Sequence, residues 1–164
     1  MSLSGVVSKN REMEPVEVFE APLEEKSVVR RLLELYQYDF SEFVDGDLDA
    51  HGAYGYQFLD NYWTEDARHP FLFRVGGKWA GFALVRTGTP HDMAEFFVMR
   101  KYRRHGVGIV AARELFARFP GDWQVRQMAT NTPATNFWRR AIPYPFEEDT
   151  NEHGPVQRFA VLDR

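Results

Sequence analysis

Apolar and polar positions repeat along the chain with two different periods. Over 16–20, apolar residues alternate with glutamates, which is the two-residue period of a half-buried strand. Over 23–37, the apolar residues recur every three or four positions, as on one face of a helix, and Pro22 suits the start of that helix. The pattern therefore predicts a strand followed by a helix. Residues 1–14 are polar without periodicity, and a loose N-terminal tail is expected there.

The rest of the chain continues to switch between these two periods. Strands are predicted over 70–75 and 78–86, joined by a hairpin turn at the Gly76-Gly77 pair. The further predicted elements are a short helix over 58–64, a strand over 93–99, a helix over 108–119, a strand over 123–129, a helix over 133–143, and two closing strands over 144–149 and 155–162. This order predicts one mixed α/β (α+β) domain over 15–164, with no internal repeat.

The junction between the strand over 93–99 and the helix over 108–119 is the most informative stretch. Residues 103–108 read Arg-Arg-His-Gly-Val-Gly. Helix N-termini carry unpaired N–H groups and a partial positive charge, and glycines let a phosphate approach them closely. A tight turn with solvated arginines is the alternative interpretation. The loop matches neither the G-x-x-x-x-G-K-[ST] nor the G-x-G-x-x-G pattern, so the common mononucleotide and dinucleotide loops are not supported.

This loop resembles the acyl-CoA pyrophosphate loop of the GNAT family, the Gcn5-related N-acetyltransferases, whose signature is Arg or Gln, two residues, Gly, one residue, and Gly or Ala. A second stretch, 131–138 (Asn-Thr-Pro-Ala-Thr-Asn-Phe-Trp), resembles that family's segment in which an Asn ends the fifth strand and a helix follows. The resemblance implies a single-domain GNAT-like fold with flanking helices and a mixed central sheet splayed between its fourth and fifth strands.

The resemblance also implies acetyl-CoA as the acyl donor. The edge of the fourth strand would pair with the pantetheine arm, the Gly loop would hold the pyrophosphate, and the asparagines after the fifth strand would contact the arm. The implied cofactor-binding residues are Phe96, Phe97, Val98, Arg103, Arg104, His105, Gly106, Val107, Gly108, Ile109, Asn131 and Asn136.

Glu95 is the candidate catalytic residue. Many family members carry a Glu on the fourth strand that accepts the proton of the amine, directly or through water. A carboxylate in an apolar strand is unexpected, and partial burial would raise its pKa toward the range of a useful base. The alternative is an exposed strand Glu, or one paired with Arg86 or Arg126. The family often has a Tyr that protonates the leaving thiolate, and this chain has Trp138 at that position. Either Tyr102 or Tyr144 replaces this acid, or the thiolate leaves without one.

The segment over 34–56 is rich in aromatic and acidic residues, and it contains no Lys or Arg between Glu34 and Asp49. Aromatic rings and carboxylates together suit an ammonium group. In the family this segment lies on the side of the domain that binds the acceptor. The resemblance therefore implies that the acceptor is a cationic amine and that Asp39 and Glu42 help to bind it. A solvated loop with some core aromatics is the alternative interpretation.

Composition argues against several other classes of functional site and partner. The 164 residues include no Cys, which excludes a Cys nucleophile, and the five His are scattered, so no metal is expected. A net charge of −4 argues against a nucleic-acid partner, and no apolar run is long enough to span a membrane. We expect a cytoplasmic N-acetyltransferase that moves an acetyl group directly to a primary amine of a small molecule or protein. A homodimer is a possible assembly. The alternatives are a non-catalytic CoA-binding or regulatory module and a structural or interaction domain without CoA affinity.

Overall fold

The computed structural model of the protein describes residues 14–163, so that the predicted tail over 1–14 lies outside them except for Glu14. Its strands are β1 (Val16–Glu20), β2 (Arg68–Val75), β3 (Lys78–Arg86), β4 (His91–Val98), β5 (Gly121–Arg126), β6 (Phe146–Asn151) and β7 (Gly154–Val161). Its helices are α1 (Lys26–Phe40), α2 (Val107–Arg118) and α3 (Thr132–Ala141). Short 3₁₀ turns occupy Leu23–Glu25, Asp60–Trp63 and Arg100–Tyr102.

The strands form one mixed sheet in the order β1-β2-β3-β4-β5-β7-β6. Neighbouring strands are antiparallel except for β4 and β5, which are parallel. This parallel pair is short, because only His91 and Asp92 of β4 are paired, with Trp123 and Gln124 of β5. Beyond that point the two strands separate. The predicted splay between the fourth and fifth strands is therefore confirmed.

A β-bulge accompanies this separation. Glu95 pairs with Leu84 of β3, and Met93 pairs with the next residue, Val85, so that Ala94 is an extra residue on β4. A bulge bends its strand and increases the local twist. We infer that this bend helps to turn β4 away from β5 immediately after their last paired residues.

Helices cover both faces of the sheet. On one face, α2 and α3 enclose a core that includes Leu115, Phe116, Trp123 and Trp138. On the other face, α1 and the Asp60–Trp63 turn pack on β2 and β3 in a second buried cluster. The second cluster lies over the β1–β4 half of the sheet, because its members on strands come from β2, β3 and β4.

The predicted elements are all present, and most of them have shifted ends. The first helix begins at Lys26 because Leu23–Glu25 form a 3₁₀ turn, and the predicted short helix is the 3₁₀ turn Asp60–Trp63. The fifth strand ends at Arg126 rather than 129. Past that end, isolated backbone bonds replace the ladder, such as the 3.2 Å bond that Ala129 N donates to His153 O. No helix within residues 14–163 is long and apolar enough to cross a membrane.

Candidate active site

A cleft opens where β4 and β5 separate, and it encloses a cavity of about 750 Å³. Its floor is the 93–96 stretch of β4. One wall comes from α1 and from residues 55–58, and the other comes from the end of β5, the start of α3 and the start of β7. The cleft therefore lies beside the bulge that bends β4.

Glu95 lies in this cleft and is half-buried. Burial raises the pKa of its carboxyl above the ordinary value, because the charged form loses hydration. Hydroxyl groups of Tyr36 and Tyr56 oppose part of this shift by stabilising the carboxylate, and Tyr56 Oη donates to Glu95 Oε1 over 3.3 Å. A half-buried carboxylate with a raised pKa has the properties of a general base.

The tyrosines beside Glu95 were not predicted as site residues. Tyr36 lies on α1, and Tyr56 lies in the loop that follows it. Burial, together with the negative charge of Glu95, raises the pKa of both phenols, so both stay protonated at neutral pH and act as donors. Their sequence signal was the aromatic and acidic composition of 34–56, which does not indicate which rings reach the cleft.

The alternative role of Glu95, as an ion-pair partner of Arg86 or Arg126, is wrong. Both arginines bind Asp92 instead. Asp92 is only 5 % exposed and is the last residue of β4 that pairs with β5. Arg126 Nη2 donates to Asp92 Oδ2 over 2.9 Å, and Arg86 Nη2 donates to the same oxygen. Asp92 therefore holds the two guanidinium groups, and Glu95 remains free of an ion pair with either.

The predicted phosphate loop has the backbone geometry that an anion needs. Gly106 precedes α2 with a left-handed φ of +78°, a conformation that favours Gly, and no side chain caps the helix. The first N–H groups of α2 thus have no intrahelical partner. The side chain of Val107 is buried in the core, so this residue can meet a phosphate only through its backbone. Arg104 and His105 are exposed.

The side chain of Arg103 faces away from this helix end. Its Nε donates to Val98 O over 2.8 Å, and its Nη2 donates to Asp39 Oδ2 of α1 over 2.7 Å. Arg100 holds the other oxygen of Asp39, at 2.7 Å from Nη2. In this arrangement Arg103 connects the loop to α1, and its role at the phosphate would be through the backbone.

Gly108 serves packing between helices. A Cβ at this position would lie 3.0 Å from Phe137 Cε2, which is closer than a side chain there can comfortably approach. The absence of a side chain lets α2 and α3 meet at this point. The predicted cofactor-binding residue Ile109 is half-buried on the same turn of α2.

The predicted pantetheine strand contributes its backbone more than its side chains. Phe97 is buried against Tyr36, with ring centroids 5.7 Å apart, and Phe96 stacks on Phe137 at 5.6 Å. Val98 is packed against the core. Past Asp92, the edge of β4 that faces β5 has no partner strand within residues 14–163. This open edge can receive an added extended chain.

The two predicted asparagines differ in position. Asn131 lines the cleft and caps α3, where its Oδ1 accepts a hydrogen bond from Ala134 N at 3.2 Å. Asn136 is exposed, lies one turn further along α3, and does not line the cleft. Trp138 is 5 % exposed and packs edge-on against Phe96 at 5.0 Å, which makes it mainly a core residue.

The sequence model of the acetyltransferase (GNAT) family matches residues 30–142. The chain belongs to the GNAT family. A comparison with curated proteins finds no match.

Solved structures share the fold of this GNAT domain at low identity. The PaiA N-acetyltransferase of Thermoplasma acidophilum, in complex with coenzyme A, is 9 % identical, with a TM-score of 0.60 over 89 % of this chain and 99 % of that one. The aminoglycoside acetyltransferase AAC(6')-Ib, also in complex with coenzyme A, is 14 % identical, with a TM-score of 0.64 over 89 % and 95 %. The ribosomal-protein-S18-alanine N-acetyltransferase of Escherichia coli is 12 % identical, with a TM-score of 0.61 over 92 % and 96 %.

Two features of this GNAT domain fit an acyl-CoA donor. The uncapped start of α2, with Gly106 in a left-handed conformation, suits a pyrophosphate, and the open edge of β4 suits the amide groups of a pantetheine arm. Within residues 14–163, no three His, Asp or Glu side chains come together as metal ligands.

The acidic segment of this GNAT domain differs from the predicted acceptor wall. Glu34 accepts hydrogen bonds from the backbone N–H groups of Tyr54 and Gly55, and Asp39 binds Arg100 and Arg103, so both carboxylates stabilise the local structure. Neither of them lines the cleft. The aromatic part of the segment does line it, through Tyr36, Phe40 and Tyr56, and Phe58 joins them just beyond the segment.

Asp39→Asn should lower the stability of this GNAT domain. Burial alone would raise the pKa of Asp39, but the hydrogen bonds from Arg100 and Arg103 outweigh it and lower that pKa. The folded state therefore favours the carboxylate. Hydrogen bonds to a charged group typically contribute about 1.5–3 kcal/mol, and solvent screens this partly exposed carboxylate. We therefore expect a loss of about 1–2 kcal/mol at neutral pH, or roughly 2–8 °C in Tm.

The pH dependence of this loss follows from the lowered pKa. The stabilisation is present above the ordinary Asp pKa of about 3.9 and disappears as pH falls through the folded value, so the two proteins should converge in acid. Glu42→Gln is the matched control, because Glu42 is exposed in the same segment. Equal Tm values for Asp39→Asn and Glu42→Gln at pH 7 would contradict the role of Asp39.

Proposed function

We propose that this protein is an N-acetyltransferase that moves an acetyl group from acetyl-CoA directly to a primary amine. The observation that carries the proposal is Glu95, a half-buried carboxylate with a raised pKa at the floor of the cleft between β4 and β5. Family membership and structural neighbours in complex with coenzyme A support the donor.

In this proposal Glu95 activates the amine. A primary amine is largely protonated at neutral pH, and its nitrogen cannot attack until a proton leaves. Glu95 accepts that proton, directly or through one water, while Tyr36 and Tyr56 orient its carboxylate. The free amine then attacks the carbonyl carbon of the thioester and the C–N bond forms. The C–S bond breaks, the sulfur leaves as a thiolate, and the second proton of the nitrogen passes to this thiolate or to water.

Backbone groups carry the remaining roles. An N–H on the open edge of β4 would stabilise the negative charge that develops on the thioester oxygen. The leaving thiol has an ordinary pKa of about 8.5, so it needs no strong acid at neutral pH. Trp138 occupies the position of the family's Tyr, and Tyr102 and Tyr144 do not line the cleft, so we propose transfer without a dedicated acid.

The acceptor is proposed to be an amine that is cationic before it gives up its proton. The aromatic wall of the cleft, formed by Tyr36, Phe40, Tyr56 and Phe58, suits an ammonium group on an apolar body. The neighbours' acceptors differ widely, since one is named for aminoglycosides and another for the alanine of ribosomal protein S18. A small molecule and a protein amine both remain compatible with the cleft. A cytoplasmic location and a homodimer stay predictions.

The second candidate is a non-catalytic CoA-binding or regulatory module. The observation that favours it is the buried Trp138 where many family members have a catalytic Tyr. Both candidates require CoA binding, and only the first requires turnover.

Acetyl-CoA should stabilise the protein against heat. At about 100 times its Kd, a ligand adds roughly 2.7 kcal/mol of stability, which corresponds to roughly 5–11 °C in Tm for a domain of this size. Thermal unfolding with and without millimolar acetyl-CoA measures this shift. An unchanged Tm would refute the assignment of acetyl-CoA as the acyl donor. A shift without acetylation of any member of a broad amine panel would favour the regulatory module.

A further inference from the structure

A basic cluster that the proposed acetyl transfer does not use borders the cleft, and Arg126 is the member of the cluster that lines it. Asp92 binds two guanidinium groups, from Arg86 and Arg126, so the three side chains together carry a net charge of +1. Asp92 is 5 % exposed, whereas the side chain of Arg126 is 51 % exposed. The cluster is therefore anchored in the protein at Asp92 and reaches solvent at Arg126.

Arg126 has unused donors that can reach the cleft. A guanidinium carries five N–H donors, and the bond to Asp92 Oδ2 is the one hydrogen bond of this side chain to residues within 14–163. Arg126 lines the cleft together with Glu95. The other basic residue of the lining, His153, has a side chain that is 83 % exposed and lies 3.3 Å from Glu152. Arg126 is thus the permanent positive charge of the described lining.

Two members of the cluster act electrostatically on the candidate base. The negative charge of Asp92 raises the pKa of Glu95 and the positive charge of Arg86 lowers it, so these groups are within electrostatic range of one another. Asp92 and Glu95 lie three residues apart on β4, or roughly 10 Å of strand. Arg126 binds Asp92 and lines the cleft together with Glu95, so one small molecule can reach both Arg126 and Glu95.

We propose that Arg126 binds an anionic group of the acceptor, which is therefore an amine that also bears a carboxylate or a similar anion. The amine end lies at Glu95, and the anionic end lies at Arg126. The aromatic wall formed by Tyr36, Phe40, Tyr56 and Phe58 favours an apolar or aromatic body between or beside them. This inference rests on the proposed acetyl transfer and adds the substrate class to it.

A purely structural role for Arg126 explains less of the geometry. Asp92 already has Arg86 as a counterion, and Asp92 Oδ1 has no hydrogen-bond partner within the described residues. If Arg126 served only Asp92, its guanidinium could satisfy both carboxylate oxygens. Instead it binds one oxygen through Nη2 alone and leaves its remaining donors for another anion.

Matched acceptor pairs test the proposal in the unmodified protein. Each pair compares an amino acid with its carboxamide, and the pairs differ in the distance between amine and carboxylate: L-phenylalanine, 3-amino-3-phenylpropanoate and 5-aminopentanoate. A further pair, O-phosphoethanolamine and ethanolamine, separates phosphate from carboxylate recognition. We expect the anionic member of the productive pair to have a kcat/KM at least about tenfold higher than its uncharged counterpart.

Arg126→Gln should remove this preference. Loss of a hydrogen-bonded charge pair predicts a decrease of about 10- to 100-fold in kcat/KM for the anionic acceptor. Arg126→Lys, which keeps the charge but loses the fork of donors, should give an intermediate value. A fall of equal size for both members of a pair, or an unmodified protein that accepts the uncharged member equally well, would overturn the proposal.

A binding measurement makes the result independent of turnover and of the variant. Calorimetry with 3-phenylpropanoate and 3-phenylpropanamide, in the presence of acetyl-CoA, should show tighter binding of the carboxylate. Equal binding by the unmodified protein would also overturn the proposal, even if Arg126→Gln failed to fold. Failure of acetyl-CoA to bind would refute the proposed function itself, whereas efficient acetylation of amines without an anionic group would refute only the role of Arg126.

Discussion

Glu95→Gln should reduce turnover by roughly 10²- to 10⁴-fold, which is the usual contribution of a general base. Gln has nearly the same shape as Glu and can still accept a hydrogen bond from Tyr56, but it cannot take a proton from the amine. Acetyl-CoA binding should stay within about twofold, because the loop before α2 is unaltered. Steady-state kinetics with a productive amine, together with the Tm shift in acetyl-CoA, measure the two effects separately.

The pH–rate profile gives the sharper test of Glu95. Since the pKa of this carboxyl is raised, kcat/KM of the unmodified enzyme should rise with pH as Glu95 loses its proton, above its ordinary pKa of about 4.3. In Glu95→Gln, kcat/KM should no longer rise as this carboxyl would deprotonate, and should still rise as the amine itself deprotonates. Its deficit should shrink at high pH, where more of the amine is already neutral. Identical profiles for the two proteins would remove Glu95 from the mechanism.

The stability of Glu95→Gln is a control for its loss of turnover, because stability should stay equal or increase while turnover falls. An acid whose pKa is raised in the folded state binds its proton more tightly there, so its stabilising contribution is complete below the unfolded pKa and is lost as pH rises through the folded value. Gln resembles the protonated form. Glu95→Gln should therefore be at least as stable as the unmodified protein at pH 7, and the difference should disappear in acid. A large loss of Tm would mean that the drop in turnover reports unfolding.

Local patterns in the sequence predicted the order of helices and strands and several candidate site residues. The predicted strands over 16–20 and 78–86 have the same bounds in the structure. Alternation with glutamates identified the first, and the hairpin turn at Gly76-Gly77 before an apolar run identified the second. The loop over 103–108 and the carboxylate at Glu95 were likewise visible, since each belongs to one continuous stretch. The splay of the sheet was predictable only through the resemblance to the family, and the bulge at Ala94 has no local signature.

The contacts between distant parts of the chain were not predictable in the same way. Tyr56 and Glu95 are 39 residues apart, Arg103 and Asp39 are 64 apart, and Arg126 and Asp92 are 34 apart. The partner of a charged side chain depends on which elements pack together, and composition alone does not specify it. Asp39 was therefore interpreted as an acceptor ligand although it holds Arg103, and the basic cluster at Asp92 was missed.

Gly106→Asp should abolish the stabilisation by acetyl-CoA. Gly106 precedes α2 with φ at +78°, next to the N–H groups proposed to hold the pyrophosphate, so an aspartate there would place its carboxylate beside the phosphate. A carboxylate adds repulsion between like charges, which costs several kcal/mol at an interface, or roughly 10²- to 10³-fold or more in Kd. We expect no measurable Tm shift at millimolar acetyl-CoA, compared with roughly 5–11 °C for the unmodified protein.

Gly106→Asn is the matched control for the charge. Asn has nearly the size of Asp and tolerates the left-handed conformation equally well, so both variants should lose a similar amount of stability without ligand. Because Asn is uncharged, it should weaken acetyl-CoA binding less than Asp does, and the difference between the two should shrink at high salt. Equal Kd values for Asn and Asp variants, both close to that of the unmodified protein, would place the pyrophosphate away from the N-terminus of α2. Loss of binding in both to the same extent would mean that space, and not charge, limits the approach of the phosphate to this loop.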